Sequence, residues 1–181
     1  LACGRGANHG GLSMSLPKIL AGAILAIALL VGGVYALGAA TPASHSAEAT
    51  REIAAPPERI AARIRAVEAY PTWRDGVAVE NVTVSADATT YVEIAEGDRI
   101  AYRLTEPETG ARFIATITDE TLPFGGAWTI DIAPTANGSR VSIREDGVVR
   151  DLLYRFFARY VFGYTSTMET YLDNLAAAEA R

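Results

Sequence analysis

The segment that most constrains the fold of this chain is its aromatic, apolar stretch over residues 150–178. Apolar side chains recur there at three- and four-residue spacings, the period that keeps side chains on one face of a helix. The pattern therefore predicts one long amphipathic helix with an unusually aromatic face. That face consists of Leu152, Leu153, Phe156, Phe157, Tyr160, Val161, Tyr164, Met168, Tyr171, Leu172 and Leu175.

Short strands with alternating apolar and polar residues precede this helix. An edge strand is predicted over residues 48–54, and a helix begins at Ala55-Pro56-Pro57-Glu58, where proline suits the first turn and the acid complements the helix dipole. Further strands are predicted over residues 77–84, 89–95, 99–105, 111–118, 128–132 and 140–145, with turn signals at Glu96-Gly97-Asp98 and Asn137-Gly138. The alternation turns one sheet face toward a core and the other toward water.

Charge and composition exclude several functions. All 21 acidic residues but only 14 of the 16 basic ones lie from Glu48 onward, which gives that part a net charge of about 14 − 21 = −7. A negative domain does not attract phosphate backbones, so we predict no binding of nucleic acid. Cys3, His9 and His45 all precede residue 48. We therefore predict no metal site and no cofactor, and any catalysis has to use Asp, Glu, Tyr or Arg.

The 22 residues from Ile19 to Ala40 carry no charge. As a helix they span roughly 30 Å, the hydrocarbon thickness of a bilayer, which predicts a single transmembrane helix. The run exceeds the apolar core of a signal peptide, about 7–15 residues, and this favours an uncleaved anchor. Small-residue patterns at Ala36-Leu37-Gly38 and Gly38-Ala39-Ala40 keep a cleaved signal peptide as the alternative.

The membrane helix divides the chain into four parts. We predict an N-terminal leader over residues 1–18, the membrane helix over 19–40, a linker over 41–47 and one globular domain over 48–178. Lys18 on the N-terminal flank predicts that the domain lies on the extracytoplasmic side. Cleavage of the leader would instead give a secreted or periplasmic protein.

The order of these segments resembles the START-like, or Bet v 1-like, superfamily, and in particular the bacterial polyketide cyclase/dehydrase and lipid-transport branch known as SRPBCC proteins. The resemblance covers about residues 48–178. The residues that carry it are Ile53-Ala54-Ala55-Pro56-Pro57-Glu58, Tyr70-Pro71-Thr72-Trp73, Gly126-Ala127-Trp128 and the strand from Gly138 to Gly147.

This resemblance implies an α+β helix-grip fold, in which a curved antiparallel β-sheet wraps around a long C-terminal helix and leaves a cavity between them. It also implies binding of a sterol, lipid, polyketide or other hydrophobic molecule, and, in a minority of members, cyclisation or dehydration.

The predicted ligand-binding residues are aromatic or apolar side chains expected to face that cavity. Small-molecule sites are mostly apolar and contain a few polar groups that orient the ligand. For each residue the alternative interpretation is ordinary core packing. The predicted residues are Trp73, Tyr102, Phe113, Trp128, Phe156, Phe157, Tyr160, Tyr164 and Met168.

Glu145 is the single weak candidate for catalysis, because it has the same strand parity as Val141 and Ile143. One interpretation makes it a desolvated acid or base on the apolar face. The other ends the strand before Glu145 and leaves it at a solvated mouth. Arg150, Arg155 and Arg159 also allow two interpretations. In one they contact an anionic ligand or lipid headgroup. In the other they form a solvated helix face, on which Asp151 and Arg155 are an i,i+4 ion pair.

Three functions remain compatible with the sequence. The leading hypothesis is a membrane-tethered, non-catalytic module that binds a hydrophobic small molecule or lipid. The second is an enzyme resembling aromatic cyclases, with Glu145 or a pocket tyrosine as acid or base. The third is a protein-interaction module whose cavity is filled by its own aromatic side chains.

Overall fold

The computed structural model describes residues 15–95 and 97–181. The predicted leader as far as residue 14, with Cys3 and His9, and Glu96 of the predicted hairpin turn lie outside the described residues. The helices are α1 (Leu16–Ala40), α2 (Pro57–Arg65), α3 (Leu152–Phe157) and α4 (Ser166–Glu179). The strands are β1 (Ser44–Ile53), β2 (Val77–Val84), β3 (Thr89–Ala95), β4 (Asp98–Glu108), β5 (Arg112–Ile117), β6 (Phe124–Thr135) and β7 (Gly138–Val149).

The seven strands form one antiparallel sheet in the order β1-β7-β6-β5-β4-β3-β2. β1 and β2 are the edges, as predicted for β1. The sheet is curved, and the buried face of α4 joins the core that lines its inner side. The α+β helix-grip fold predicted from the sequence is confirmed.

The C-terminal helix is interrupted rather than continuous. α3 continues into a wider π-helical turn over Ala158–Phe162. The helix ends at Gly163, whose φ of +77° and ψ of 163° are accessible almost only to glycine. Asp151 caps α3 by accepting hydrogen bonds from the amides of Leu153 (2.9 Å) and Tyr154 (3.0 Å). Arg155 donates to the carbonyl of Val149 (2.7 Å) instead of pairing with Asp151.

α4 is held along its whole length. Met168, Leu172 and Leu175 are buried in the core. At its last turn the Glu179 carboxylate is buried and accepts hydrogen bonds from Arg59 and Arg63 of α2. Because α2 also buries its predicted apolar stripe, Ile60 and Ile64 among it, the two helices close one side of the sheet together.

α1 is long and apolar enough to cross a membrane, with a mean hydropathy of 2.4 over its most apolar window, and that window is not buried against the rest of the chain. A signal sequence has the same properties. Only residues 41–43 separate α1 from β1, because β1 begins at Ser44, inside the stretch predicted as linker. The Thr41 hydroxyl donates a hydrogen bond to the Leu37 carbonyl (2.8 Å), which stabilises the connection between α1 and β1.

The end of α1 packs directly on the start of α3. Gly38 is buried there, and a Cβ at this position would lie 2.1 Å from the Leu152 carbonyl oxygen. Two atoms cannot approach so closely, so only glycine permits this contact. Gly38 is therefore required for α3 to pack this closely on the last turn of α1.

Candidate functional site

A row of inward-facing side chains crosses the middle of the sheet. Strand register places Leu104, Ala115, Trp128, Glu145 and Ala47 next to one another on β4, β5, β6, β7 and β1. Leu104 is buried, whereas the other four are only half-buried. We call these four residues, 47, 115, 128 and 145, the inner stripe. Its partial exposure leaves apolar surface that a ligand can cover.

An aromatic cluster lies between the inner stripe and α4. Tyr171 of α4 is its centre, with ring centroids 5.3 Å from Trp73 and 5.9 Å from Trp128, both in edge-to-face contact. The Tyr91 ring stacks on the Tyr102 ring with centroids 5.4 Å apart. The Tyr70 ring is in edge-to-face contact with Trp73 at 5.4 Å and with Tyr91 at 5.9 Å. Edge-to-face and offset contacts are the favoured arrangements of aromatic rings. The cluster therefore joins β3, β4 and β6 to α4.

A buried ion pair closes one end of the cluster. Arg74 donates two hydrogen bonds to the Glu93 carboxylate (2.6 and 2.8 Å), and its guanidinium lies 5.2 Å from the Tyr70 ring and 5.1 Å from the Tyr171 ring. Burial lowers the pKa of Arg74, but the hydrogen bonds and charge of Glu93 outweigh it and leave the pKa raised. The pair keeps two charges ordered among apolar rings.

Two polar atoms of the aromatic cluster are buried without a hydrogen bond of normal geometry. They are the Trp73 indole nitrogen and the Tyr171 hydroxyl, which has the Tyr70 hydroxyl as a polar neighbour. Burial raises the pKa of Tyr171 to about 12, so its hydroxyl is neutral at ordinary pH. Unpaired buried polar groups are rare in folded proteins, and a polar atom of a ligand or a water is the usual partner. These two atoms are therefore candidate contacts for such a group.

His45 and Glu145 form a second polar pair at the other end of the inner stripe. The His45 Nε2 lies 3.3 Å from the Glu145 Oε1, and the imidazole stacks on Tyr164 at 3.9 Å with an interplanar angle of 14°. Gly147 makes room for the ring, since a Cβ there would lie 2.5 Å from the His45 Cε1. The His45 Nδ1 is buried without a partner.

Two expectations about this pair are corrected. The small residues over 41–47 predict a linker that contains His45, but β1 begins at Ser44 and brings His45 into the sheet. The interpretation that the strand ends before Glu145 is wrong, because β7 continues to Val149.

Within residues 15–95 and 97–181, no group of three or more His, Cys, Asp or Glu side chains is placed to hold a metal ion.

The structure separates the predicted ligand-binding residues into three groups. Trp73, Phe113 and Met168 are buried in the core, and Tyr102 and Trp128 line the inner stripe with Tyr164 at its end. Phe156 contacts its neighbour Phe157 on α3 and Tyr160 in the π-helical turn that follows. Their role in ligand binding stays a prediction. Arg74 and Glu93 were missed, although the inward parity of Glu93 with Tyr91 on β3 was a usable signal.

Two shallow depressions lie elsewhere on the surface. One is a groove between β1 and α4, lined among others by Glu48, Thr50 and Glu169. The other lies at the start of α2, beside Pro56 and Pro134. Neither is lined by a residue of the aromatic cluster. The aromatic cluster itself lies between the sheet and α4.

Residues 44–178 match the family described as polyketide cyclase / dehydrase and lipid transport. No curated protein matches the chain in sequence.

Solved structures share the fold. A START superfamily protein from Mycobacterium smegmatis is 16% identical, with a TM-score of 0.56, and the match covers 75% of this chain and 97% of that one. Norcoclaurine synthase from Thalictrum flavum, a point mutant bound to a transition-state analogue, is 13% identical, with a TM-score of 0.57 and coverages of 76% and 94%.

A third similar structure is the di-domain ARO/CYC protein StfQ from the steffimycin biosynthetic pathway. It is 10% identical with a TM-score of 0.62, and the match covers 74% of this chain and 50% of StfQ. At these identities the likeness concerns the fold alone.

Proposed function

Because the chain belongs to the polyketide cyclase / dehydrase and lipid transport family, we propose that its domain binds a hydrophobic small molecule or lipid without converting it, and that α1 tethers it to a membrane. The observation that carries this proposal is the inner stripe. Trp128 and its neighbours present a partly exposed apolar surface inside the fold, flanked by a few polar groups. This is the usual composition of a small-molecule site.

The ligand's apolar part lies against Trp128 and Tyr102 in this proposal. Burying about 100 Å² of apolar surface on binding contributes roughly 2.5 kcal/mol. A polar end of the ligand lies toward the His45–Glu145 pair or toward the Tyr171 hydroxyl. Because the aromatic cluster fills much of the interior, a large ligand requires the loop around Gly163 or α4 to move outward.

The tether is supported by the exposed apolar surface of α1. The helix has 25 residues, more than the about 20 needed to cross a bilayer. Lys18 remains the reason for placing the domain on the extracytoplasmic side.

Native mass spectrometry of the full chain, extracted with its own membrane into nanodiscs, tests the proposal. We expect a bound lipid or other apolar molecule of defined mass. Trp128→Leu is expected to reduce occupancy about tenfold, equivalent to about 1.4 kcal/mol of lost contact. Val84→Ala, at an exposed apolar position on β2, is the matched control and should leave occupancy unchanged. An empty protein that takes up no lipid from a panel would contradict the binding function.

A second candidate function is acid–base catalysis, favoured by one observation. Glu145 sits in the inner stripe with its carboxylate beside an imidazole, which is a pair able to accept and return a proton. Glu145→Gln distinguishes the two functions. If the protein is an enzyme, the variant still takes up the recovered ligand through its apolar contacts but converts it about 10²–10⁴-fold more slowly. If it is a binding module, incubation leaves the ligand chemically unchanged with either protein.

A further inference from the structure

Residues 154–162, which we call the aromatic turn, expose much apolar surface. The exposed fractions are 49% for Tyr154, 55% for Tyr160, 56% for Val161 and 67% for Phe162. Among the described residues outside α1, Val84 is the only large hydrophobic side chain with comparable exposure beyond this turn. A contiguous apolar patch of this kind marks an interaction surface.

The aromatic turn follows directly from a contact with the end of α1. α3 begins at Leu152, whose carbonyl contacts Gly38, two residues before the end of α1 at Ala40. Tyr35 of α1 is also exposed near this end. In a helix that spans a bilayer, the last turn lies at the boundary of headgroups and acyl chains, where tyrosine and other aromatic residues are enriched.

The charge of the aromatic turn differs from that of the domain. Residues 152–165 contain Arg155 and Arg159 and no acidic residue. By contrast, the chain from Glu48 onward has a net charge of about −7, from 14 basic and 21 acidic residues. Arg155 is occupied by the Val149 carbonyl, but Arg159 is exposed. Basic residues beside exposed aromatic side chains are the composition of segments that lie on anionic membrane surfaces.

We propose that the aromatic turn inserts into the headgroup region of the bilayer that α1 spans, so that the domain rests on the membrane through residues 154–162. The inference rests on the proposed tether and adds a second contact with the lipid. Its occupant is the lipid surface itself, because the Gly38–Leu152 contact holds the turn beside α1. Tyr164, which bounds the inner stripe, follows this turn after one residue.

Spin labels on the full chain test the proposal in nanodiscs of phosphatidylcholine and phosphatidylglycerol. In a Cys3→Ser background, single cysteines are introduced as Phe162→Cys, Val84→Cys and Leu30→Cys. Val84 is the exposed apolar control on the far edge strand, and Leu30 reports on the middle of α1. Collision with oxygen, which dissolves in lipid, is compared with collision with a water-soluble nickel chelate. We expect Phe162 to gain oxygen accessibility and lose nickel accessibility relative to Val84.

Each other outcome is decisive. If the Leu30 label collides with nickel as readily as Val84, α1 is not in lipid, and both the tether and this inference fail. If Leu30 is in lipid but Phe162 matches Val84, the tether stands and the inference is overturned. If Phe162 is shielded from both reagents and shows dipolar broadening between labels, a second copy covers the turn, which also overturns it.

A charge reversal provides the second variant. Arg159→Glu is expected to shift the Phe162 label toward water in nanodiscs that contain phosphatidylglycerol, and to have little effect in phosphatidylcholine alone. No change in either lipid would show that Arg159 does not face the headgroups and would contradict that part of the inference.

Discussion

The aromatic turn and α4 come from one continuous apolar pattern in the sequence and have opposite environments in the structure. α4 buries Met168, Leu172 and Leu175 under the sheet, whereas Tyr160, Val161 and Phe162 are mostly exposed. The two parts meet at Gly163. An apolar helical period therefore predicts that one face of the helix is buried, but it does not show whether protein or lipid buries that face. In α4 the cover is protein, and in the aromatic turn we infer that it is lipid.

Truncating a side chain in each part provides the largest test of this contrast. Leu175→Ala is expected to reduce the free energy of unfolding by about 2–5 kcal/mol, because Leu175 is fully buried and leaves a cavity. Val161→Ala should change it by less than about 0.5 kcal/mol, as at other exposed positions. Urea unfolding in micelles, followed by tryptophan fluorescence, measures both. Equal losses would mean that the aromatic turn is packed against protein.

Tyrosine ionisation provides the second test. Burial raises the pKa of Tyr171 to about 12, above its usual value of about 10. The unfolded chain then releases this proton first, so stability present below pH 10 is lost as pH rises toward 12, by up to about 3 kcal/mol. Tyr171→Phe should remove this part of the alkaline loss, and Tyr154→Phe on α3 serves as the exposed control. Unfolding curves between about pH 8 and 12 measure the effect, and identical alkaline profiles for Tyr171→Phe and the parent would refute it.

The break between the two parts is the third target. Gly163→Ala should cost about 1–3 kcal/mol, because its backbone angles suit glycine and not alanine. No atom lies close enough to obstruct the added methyl group, so the cost arises in the backbone. Gly32→Ala, at an open helical position of α1, is the control. A Gly163→Ala protein of full stability with increased helical circular dichroism would show that the glycine alone interrupts the helix.

The cap of α3 provides the smallest and most local test. Asp151→Ala is expected to weaken α3 by about 1 kcal/mol, because two amides lose their acceptor. Hydrogen exchange should then accelerate about fivefold in α3 and remain unchanged in α4. Asp151→Asn retains an accepting oxygen and should behave like the parent. Acceleration in both helices would show that they unfold as one unit despite Gly163.

Most of the fold follows from local patterns. β2 and β3 have the predicted bounds because alternation along each strand is regular and turn residues delimit them. The start of β1 was missed because Ser44 to Ala47 are small or polar, and their strand structure comes from pairing with β7. This single omission removed His45 from consideration, and with it the partner of Glu145.

The candidate site was less predictable than the fold. Parity assigned Trp128 to the inner face, since alternation along a strand is strict. For Glu145 it supported one of two open interpretations, and β7 continues past this residue. Periodicity could not separate Phe157 from Met168, because both lie on the same apolar stripe. A lone glycine within a helical pattern costs only about 1 kcal/mol and does not by itself predict a break. Contacts such as Arg74–Glu93 join distant segments, which no local pattern records.

The short segment 41–43 has a consequence for how the domain would encounter a ligand of the proposed kind. Three residues extend at most about 11 Å, so with α1 in a bilayer the domain cannot leave the surface of its own membrane. Its search is then nearly two-dimensional, and a lipophilic molecule is present there at a far higher effective concentration than in water. If α1 is the membrane anchor and the domain binds lipid, as we propose, the domain would exchange molecules with one leaflet only. Traffic across an aqueous gap to another membrane would need a separate, diffusing carrier.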